Sequence, residues 1–415
     1  MKTRAVRLYG KSDLRLEEFD LPAVGDGEIL IRIVSDSVCM SSYKTAIQGE
    51  DHIRVPQNVA EHPAIIGHEF CAEVVEVGSR WQNDYKVGDK VIVPPVLSYL
   101  GTMDTIGYSF EHIGGDSTYS LVYDHIIENG YLIKFDSDAF FSASLVEPIS
   151  CVVRGFKGSF HLDGEGNHIT GLKEGGKVAL LAACGPMGLA ALDCALHGDW
   201  KPSMIVVTDL DQERLDRAKS IFDPEEAKKL GVELIFANTA DADELMALSG
   251  GTGFDDVFAY IAVPAVVELG DAILAFDGCL NFFSGPTRKD FYVPLNFYNV
   301  HYAQHHVSGT SGSTTEDMKD VVRYISEKRI TPAVMVSHIG GMDAVIDTTL
   351  RFPEMPGAKK LIYTHIELPL TAISEFEEKG KTDPMFAELD RLCKENNGLW
   401  NPAAEKYLLA NAKAI

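Results

Sequence analysis

The sequence predicts an α/β protein of two differently built parts, a barrel-like β-rich part and a doubly wound parallel sheet. Three observations carry that expectation. Short strands separated by Gly, Pro and Asp turns fill about the first 155 residues; near residue 175 the rhythm changes to buried strand, glycines, helix, strand; and 415 residues, 46% of them hydrophobic, exceed what one core usually holds.

The front part reads in order as TRAVRLYG, EILIRIVSD, EFCAEVVEVG and DKVIVPPV, runs with β-branched residues bounded by turn signals. From residue 175 come KVALLAACGPMGLAALDCALHG, MIVVTDLDQERLDRAKSIF, VELIFAN, DDVFAYI and GCLNFFSG, strands alternating with helical spacing, which is the pattern of a parallel sheet with crossover helices. After residue 312 a helix (TEDMKDVVRYISEKR), a strand (AVMVSHIG), a second helix and a strand (KKLIYT) resemble the front part more than a new domain. The last fifty residues have helical apolar spacing in FAELDRLCKENNG and NPAAEKYLLANAKAI, with too little apolar surface for a core of their own. The expected domains are 1–155 with 313–365, 156–312, and a helical extension at 366–415 packed on the body or on a neighbouring subunit.

Charge and cysteines narrow the function classes. With 37 Lys and Arg against 61 Asp and Glu, the formal charge is -24, which repels nucleic acid and anionic membrane surfaces. No apolar run approaches the ~20 residues of a membrane span, and MKTRAVRLYG lacks a signal-peptide core, so the expected location is the cytoplasm. The seven cysteines form no C-x-x-C motif and read as buried apolar residues, Cys39 excepted.

A cofactor site follows the first strand of the second region. Ala183, Gly185 and Gly188 stand at G-x-G-x-x-G spacing, with Pro186 and Met187 between the glycines, and a helix follows. Small residues there bring backbone N–H groups and a helix N-terminus onto a pyrophosphate. The next strand, MIVVTD, ends in Asp209, 21 residues after Gly188, where an acid accepts both ribose hydroxyls of the adenosine half. That carboxylate repels a 2′-phosphate, which favours NAD(H) over NADP(H). Arg214 and Arg217 downstream are cations that partly offset it.

A second cluster of chemistry lies in the front part. Cys39 follows a strand, GHEF supplies His68 and Glu69, and EPISC supplies Glu147. A thiolate, an imidazole and one or two carboxylates suit a catalytic Zn²⁺, which takes about three protein ligands and keeps one position open. None of the spacings is a local zinc-finger pattern, and each residue alone has an ordinary explanation, His68 as a turn residue and Glu147 as a helix cap.

The strand-rich front, the GHE and EP motifs and the nucleotide-binding half occur in the order found in the zinc-dependent medium-chain dehydrogenases, and residues 1 to 365 resemble that family. The resemblance implies a GroES-like catalytic domain, a Rossmann domain, and an active site between them. It implies zinc bound by Cys39, His68 and Glu147, with Glu69 as an adjacent acid that ligates directly or exchanges with Glu147. Ser41 occupies the hydroxyl position that relays protons. Two departures stand out. The lobe that often holds a structural zinc reads PPVLSYLGTMDTIGYSFEHIGGDSTYS, without cysteine, which implies one zinc per chain; and the segment after the metal cysteine reads CMSSYK, with Met40 and Ser42 in place of the usual Gly and Asp. The opening MKTRAVRLYGKSDLRLEEFDLP, VEPISCV and GPMGLAALDCALHG resemble more narrowly the bacterial L-sorbose 1-phosphate reductases, which implies reduction of the C2 ketone of a ketose phosphate to glucitol 6-phosphate.

A sugar phosphate needs a cationic anchor, and Lys44, five residues after Cys39, is the candidate, with Arg54 a second. His52, His62, His112, His301, His305, His306 and His338 read as surface or hydrogen-bonding residues. Two other readings stay open: a dehydrogenase of an unphosphorylated polyol such as sorbitol, and a binding protein that kept the nucleotide pocket without catalysis. A homo-oligomer, dimer or tetramer, is the expectation by analogy.

Overall fold

The computed structural model describes residues 1–415 and divides into two compact units. The first comprises 1–147, 314–326 and 336–415, the second 148–313 and 327–335. The division at 147/148 falls inside the helix Val146–Gly158. The stretch 366–415, expected as a helical extension packed on the body or on a neighbouring subunit, clusters with the first unit.

The first unit is built on an eight-stranded sheet whose longest member, Ile29–Val38, pairs antiparallel with Phe70–Val77, Lys359–Tyr363 and Tyr119–Val122. Strand Ile29–Val38 is buried along nearly its whole length, so its residues serve two cores. Ile29, Ile31 and Ile33 pack with Phe70, Val74, Val91 and Ile113, while Val38 packs with Val6, Leu8, Val345 and Ile362. A strand covered on both faces reads as a near-continuous apolar run, which is what ILIRIV is. The cysteine-free segment after residue 94 is held by apolar burial of Leu97, Ile106 and Ile113, and by Ser98 and Tyr99 hydroxyls bonded to Tyr131 and His125, each at 2.7 Å.

The tail is tied to this unit by one buried polar chain. Trp400 Nε1–H donates to the Tyr363 hydroxyl at 2.7 Å, and that hydroxyl donates to Glu405 Oε1 at 2.9 Å. The two Glu405 oxygens accept the backbone N–H groups of Phe140 and Phe141, at 2.7 and 2.8 Å, where the short helix Phe141–Ser144 begins. Phe376, Leu389 and Leu408 bury the apolar faces of the tail, and the strand Lys413–Ala414 closes it against Ile366–Glu367.

The second unit is a six-stranded, all-parallel sheet in the order Glu233–Ala237, Met204–Thr208, Lys177–Leu181, Phe254–Ala259, Leu274–Phe282, His306–Ser308. The first strand in sequence, Lys177–Leu181, lies in the interior of the sheet, and the order runs outward in both directions from it. That reversal is the doubly wound topology, whose switch point binds ligands outside the carboxyl ends of the strands. Val178, Ala179, Leu180 and Leu181 are fully buried. No helix of the chain is long and apolar enough to cross a membrane.

Candidate active site

Three adjacent strands bring the first cluster together. Register pairs Val38 with Lys360, and Asp36 with Phe70, so Cys39, Glu69 and Lys359 all lie at the same end of neighbouring strands. Cys39 leaves the strand as N-cap of the helix Met40–Gln48, and His68 and Glu69 immediately precede Phe70–Val77. Gly67 makes the approach possible. It has φ of +90°, and a Cβ there would lie 2.5 Å from the Asp116 nitrogen and 2.9 Å from the Asp36 carboxylate, so a larger residue is excluded.

Cys39 Sγ, His68 Nε2 and a Glu69 oxygen lie within 4.8 Å of one another. Cys39 Sγ is 3.4 Å from His68 Nε2, and Ser41 Oγ lies 2.5 Å from the sulfur and 3.3 Å from that nitrogen. Tyr108 OH closes the group from another side, 3.5 Å from His68 Nε2. Glu147 sits in the first turn of the helix Val146–Gly158, and its carboxyl feels the charges of Glu69, His68 and Cys39.

Glu69 has partners of its own. Lys359 Nζ reaches both carboxylate oxygens, Oε1 at 2.6 Å, and the Ser37 hydroxyl donates to Oε2. Lys359 and Glu69 are 4% and 3% exposed, so this is a buried ion pair whose two charges need each other. The Glu69 N–H donates to Asp36 Oδ1 at 3.0 Å.

The electrostatics of the cluster are those of a cation site. Burial pushes the Cys39 thiol up, and the Glu69 charge pushes it further. Burial and the Glu69 charge likewise raise Glu147 to about 7. One thiol and two carboxyls around a single lysine accumulate negative charge when ionised, and a divalent cation held among them removes that penalty. The donor set of sulfur, imidazole and carboxylate therefore fits Zn²⁺.

In the second unit, strand Lys177–Leu181 runs into a turn at Ala182, with φ of +53°, and then into the helix Pro186–His197, capped by Gly185. Nothing lies within 4 Å of where a Gly185 Cβ would be, which leaves room for a ligand. At Gly188 a Cβ would stand 2.0 Å from the Ala183 carbonyl oxygen, so this glycine is demanded by helix–strand packing. No side chain caps the helix N-terminus, leaving backbone donors near Pro186, Met187 and Gly188 for an anion. Asp209 follows strand Met204–Thr208; its carboxylate accepts the N–H groups of Cys184, at 3.2 Å, and Asp211, at 3.0 Å. The loop and the acid that the motif joins by spacing are thus joined by hydrogen bonds. Arg214 pairs with Asp211 at 3.4 Å and is largely exposed, while Arg217 donates to the Val334 carbonyl.

Three members of the first site were not singled out from sequence: Lys359, Ser37 and Tyr108. The signal for Lys359 was there, since KKLIY places two lysines in a strand that is buried throughout. His52, read as a surface or hydrogen-bonding residue, is half-buried, accepts the Arg54 backbone N–H, and stacks on Tyr108 with ring centroids 5.6 Å apart and 24° between planes.

Residues 25–127 match the family described as alcohol dehydrogenase GroES-like domain, and residues 186–327 match that described as zinc-binding dehydrogenase. A mannitol-1-phosphate 5-dehydrogenase of Aliivibrio fischeri is 45% identical, covering 98% of this chain and 97% of the relative. An L-sorbose 1-phosphate reductase of Klebsiella pneumoniae is 44% identical, covering 100% and 98%. Among solved structures, 2R,3R-butanediol dehydrogenase from Bacillus subtilis superposes with a TM-score of 0.70 at 23% identity, covering 87% of this chain and 99% of that one, a likeness of fold.

Proposed function

The chain belongs to the zinc-binding dehydrogenase family, the zinc-dependent medium-chain alcohol dehydrogenases, and from that premise we propose that it reduces the C2 ketone of a ketose phosphate, L-sorbose 1-phosphate to D-glucitol 6-phosphate. The observation that carries the reading is the convergence of Cys39, His68 and Glu69 within 4.8 Å, with Glu147 beside them. The phosphorylated substrate is supported by relatives at 44–45% identity whose names specify a ketose or hexitol phosphate.

In this reading zinc supplies Lewis acidity toward the substrate oxygen, and the nicotinamide supplies the hydride. Cys39 Sγ and His68 Nε2 would hold the metal together with a carboxylate from Glu69 or Glu147, Glu69 being also bonded to Lys359 and Ser37. Ser41 Oγ, 3.3 Å from His68 Nε2, would pass a proton to the substrate oxygen as the ketone becomes an alcohol while taking one up from the ribose hydroxyls or water, and the same relay would run backward in the oxidative direction. Gly185 to Gly188 cradle the pyrophosphate. Asp209 accepts the ribose hydroxyls, so NADH is preferred, and Arg214 and Arg217 leave NADPH as the weaker cofactor.

One zinc per chain follows from the absence of cysteines between 94 and 120. The chain works as a homo-oligomer in the cytoplasm, paired through the edge strand His306–Ser308 of the second unit. Exposed Phe276, Phe297, Tyr298, Tyr302 and Val307 in that unit support the pairing.

The test is oxidation of NADH and of NADPH by zinc-loaded protein with L-sorbose 1-phosphate and L-sorbose side by side, and reduction of NAD⁺ with mannitol 1-phosphate. Turnover confined to phosphorylated sugars, with NADH ahead, is the expected result. Turnover of L-sorbose or sorbitol alone overturns the substrate, and NADPH ahead overturns the role of Asp209.

A further inference from the structure

We propose that Arg54 and His52 form the subsite for the phosphate dianion of the substrate, set beside the Cys39–His68 cluster by the ring of Tyr108. This rests on the reading of the chain as a dehydrogenase of sugar phosphates, and it assigns the atoms that would select them.

Arg54 is the anomaly that points there. In a chain with 61 acidic side chains, Arg7, Arg32, Arg80 and Arg329 each take a carboxylate within 3.1 Å. Arg54, half-buried, takes none; its guanidinium donates to Thr105 Oγ1 at 3.2 Å and lies over the Tyr108 ring, 5.6 Å from its centroid. A guanidinium in this setting keeps most of its fork of donors for an outside anion, and phosphate oxygens match that fork.

His52 adds a directed donor. Its Nδ1 accepts the Arg54 backbone N–H at 3.2 Å, which puts the neutral ring's proton on Nε2, and no protein group accepts from Nε2. Its ring lies along Tyr108, as Arg54 does. Burial, Arg54 and Lys44 all push the His52 pKa down, so both cations are near enough to repel a charged imidazole. A guanidinium and an imidazole N–H laid on one aromatic ring favour one ligand class, a compact dianion.

Position ties the cluster to the reaction. Tyr108 OH is 3.5 Å from His68 Nε2, and the ring centroids of the two residues are 5.0 Å apart. One aromatic ring therefore separates the cationic group from the metal-binding nitrogen, and the phosphate of a short sugar chain can be held while its carbonyl is at the metal. The chain's overall charge of -24 makes a local cation cluster necessary, since the remaining surface repels a dianion.

The experiment compares zinc-loaded wild type, Arg54→Gln, Arg54→Lys and His52→Gln. Two quantities are read: the ratio of kcat/KM for L-sorbose 1-phosphate to that for L-sorbose, and binding of inorganic phosphate followed by calorimetry. The ratio is expected to fall about 10- to 100-fold in Arg54→Gln and less in Arg54→Lys, with phosphate binding weakened in parallel. A second, milder loss is expected in His52→Gln, and zinc content serves as the check on folding. An unchanged ratio in both Gln variants overturns the subsite while leaving the proposed reaction standing. If wild type turns over no sugar phosphate yet binds inorganic phosphate through Arg54, the subsite stands and the proposed substrate falls. Absence of phosphate binding in wild type overturns the subsite.

Discussion

Between residues 183 and 209 one short run of chain supplies the loop, the helix N-terminus and the acid of the candidate nucleotide site, whereas the candidate metal site draws on residues 39, 68, 69 and 147, with Lys359 paired to Glu69. The contrast follows from what each ligand asks for. A pyrophosphate is held by backbone N–H groups, which any sequence owns, so the requirement falls on local geometry: a tight turn, Gly188 against Ala183, and a helix starting at Pro186. A metal is held by side chains of particular chemistry, and their convergence depends on strand register. Here Ile29–Val38 lies between Lys359–Tyr363 and Phe70–Val77, and that order alone sets Cys39, Glu69 and Lys359 at one end. The glycine loop with its acid is thus a motif, and the cluster of donors is a product of topology.

If the two sites are independent in this way, damage to one leaves the other working. The largest effect is expected for Cys39→Ser, which removes the one soft ligand. Bound zinc measured by atomic absorption should drop to background and turnover should fall by about 10³-fold or more, while the fluorescence titration with NADH keeps its affinity. An active zinc-free variant would sink the metal reading, and loss of NADH binding would sink the independence. Next in size is Asp209→Gly. Loss of a charged acceptor on the ribose should lower kcat/KM for NADH about 10- to 100-fold relative to NADPH, with zinc content unchanged; a ratio that does not move would show that the acid serves only to hold Cys184 and Asp211. The smallest is Glu405→Ala in the tail. It leaves the Phe140 and Phe141 N–H groups without their acceptor, and should destabilise the first unit by about 3 kcal/mol, read as a lower urea midpoint by tryptophan emission. Unchanged stability would mean that the tail rests on the unit without bracing it.

The two regions also differed in how far they could be read in advance. In the second unit, KVALLAACGPMG and MIVVTD carried strand, turn, helix and acid in one legible stretch, because period, glycine spacing and a charged strand end are all local signals. In the first unit, Cys39, His68, Glu69 and Glu147 could be named as suitable ligands, and the motif order GHE then EP joined them to a family, but no spacing among them required a site. Lys359 shows why. KKLIY marks two lysines in an otherwise apolar strand, but nothing in it names the acid 290 residues away that its first lysine neutralises. The same holds for His52, whose place on Tyr108 depends on how the segment between the helix Met40–Gln48 and the strand Ala64–Ile65 folds back.

The sequence by itself determined the two-part architecture, the glycine turn followed by an acid at a strand end, and the kinds of donor available to a metal. These are written in composition, period and short spacing, which depend on neighbours along the chain. Only the tertiary structure decided that Glu69 pairs with Lys359, that His52 and Arg54 lie on the Tyr108 ring, and what holds the tail. Those are questions of which distant side chains meet in a buried space, where an ion pair such as Lys359–Glu69 or a chain such as Trp400–Tyr363–Glu405 forms because water is excluded and no other partner is within reach.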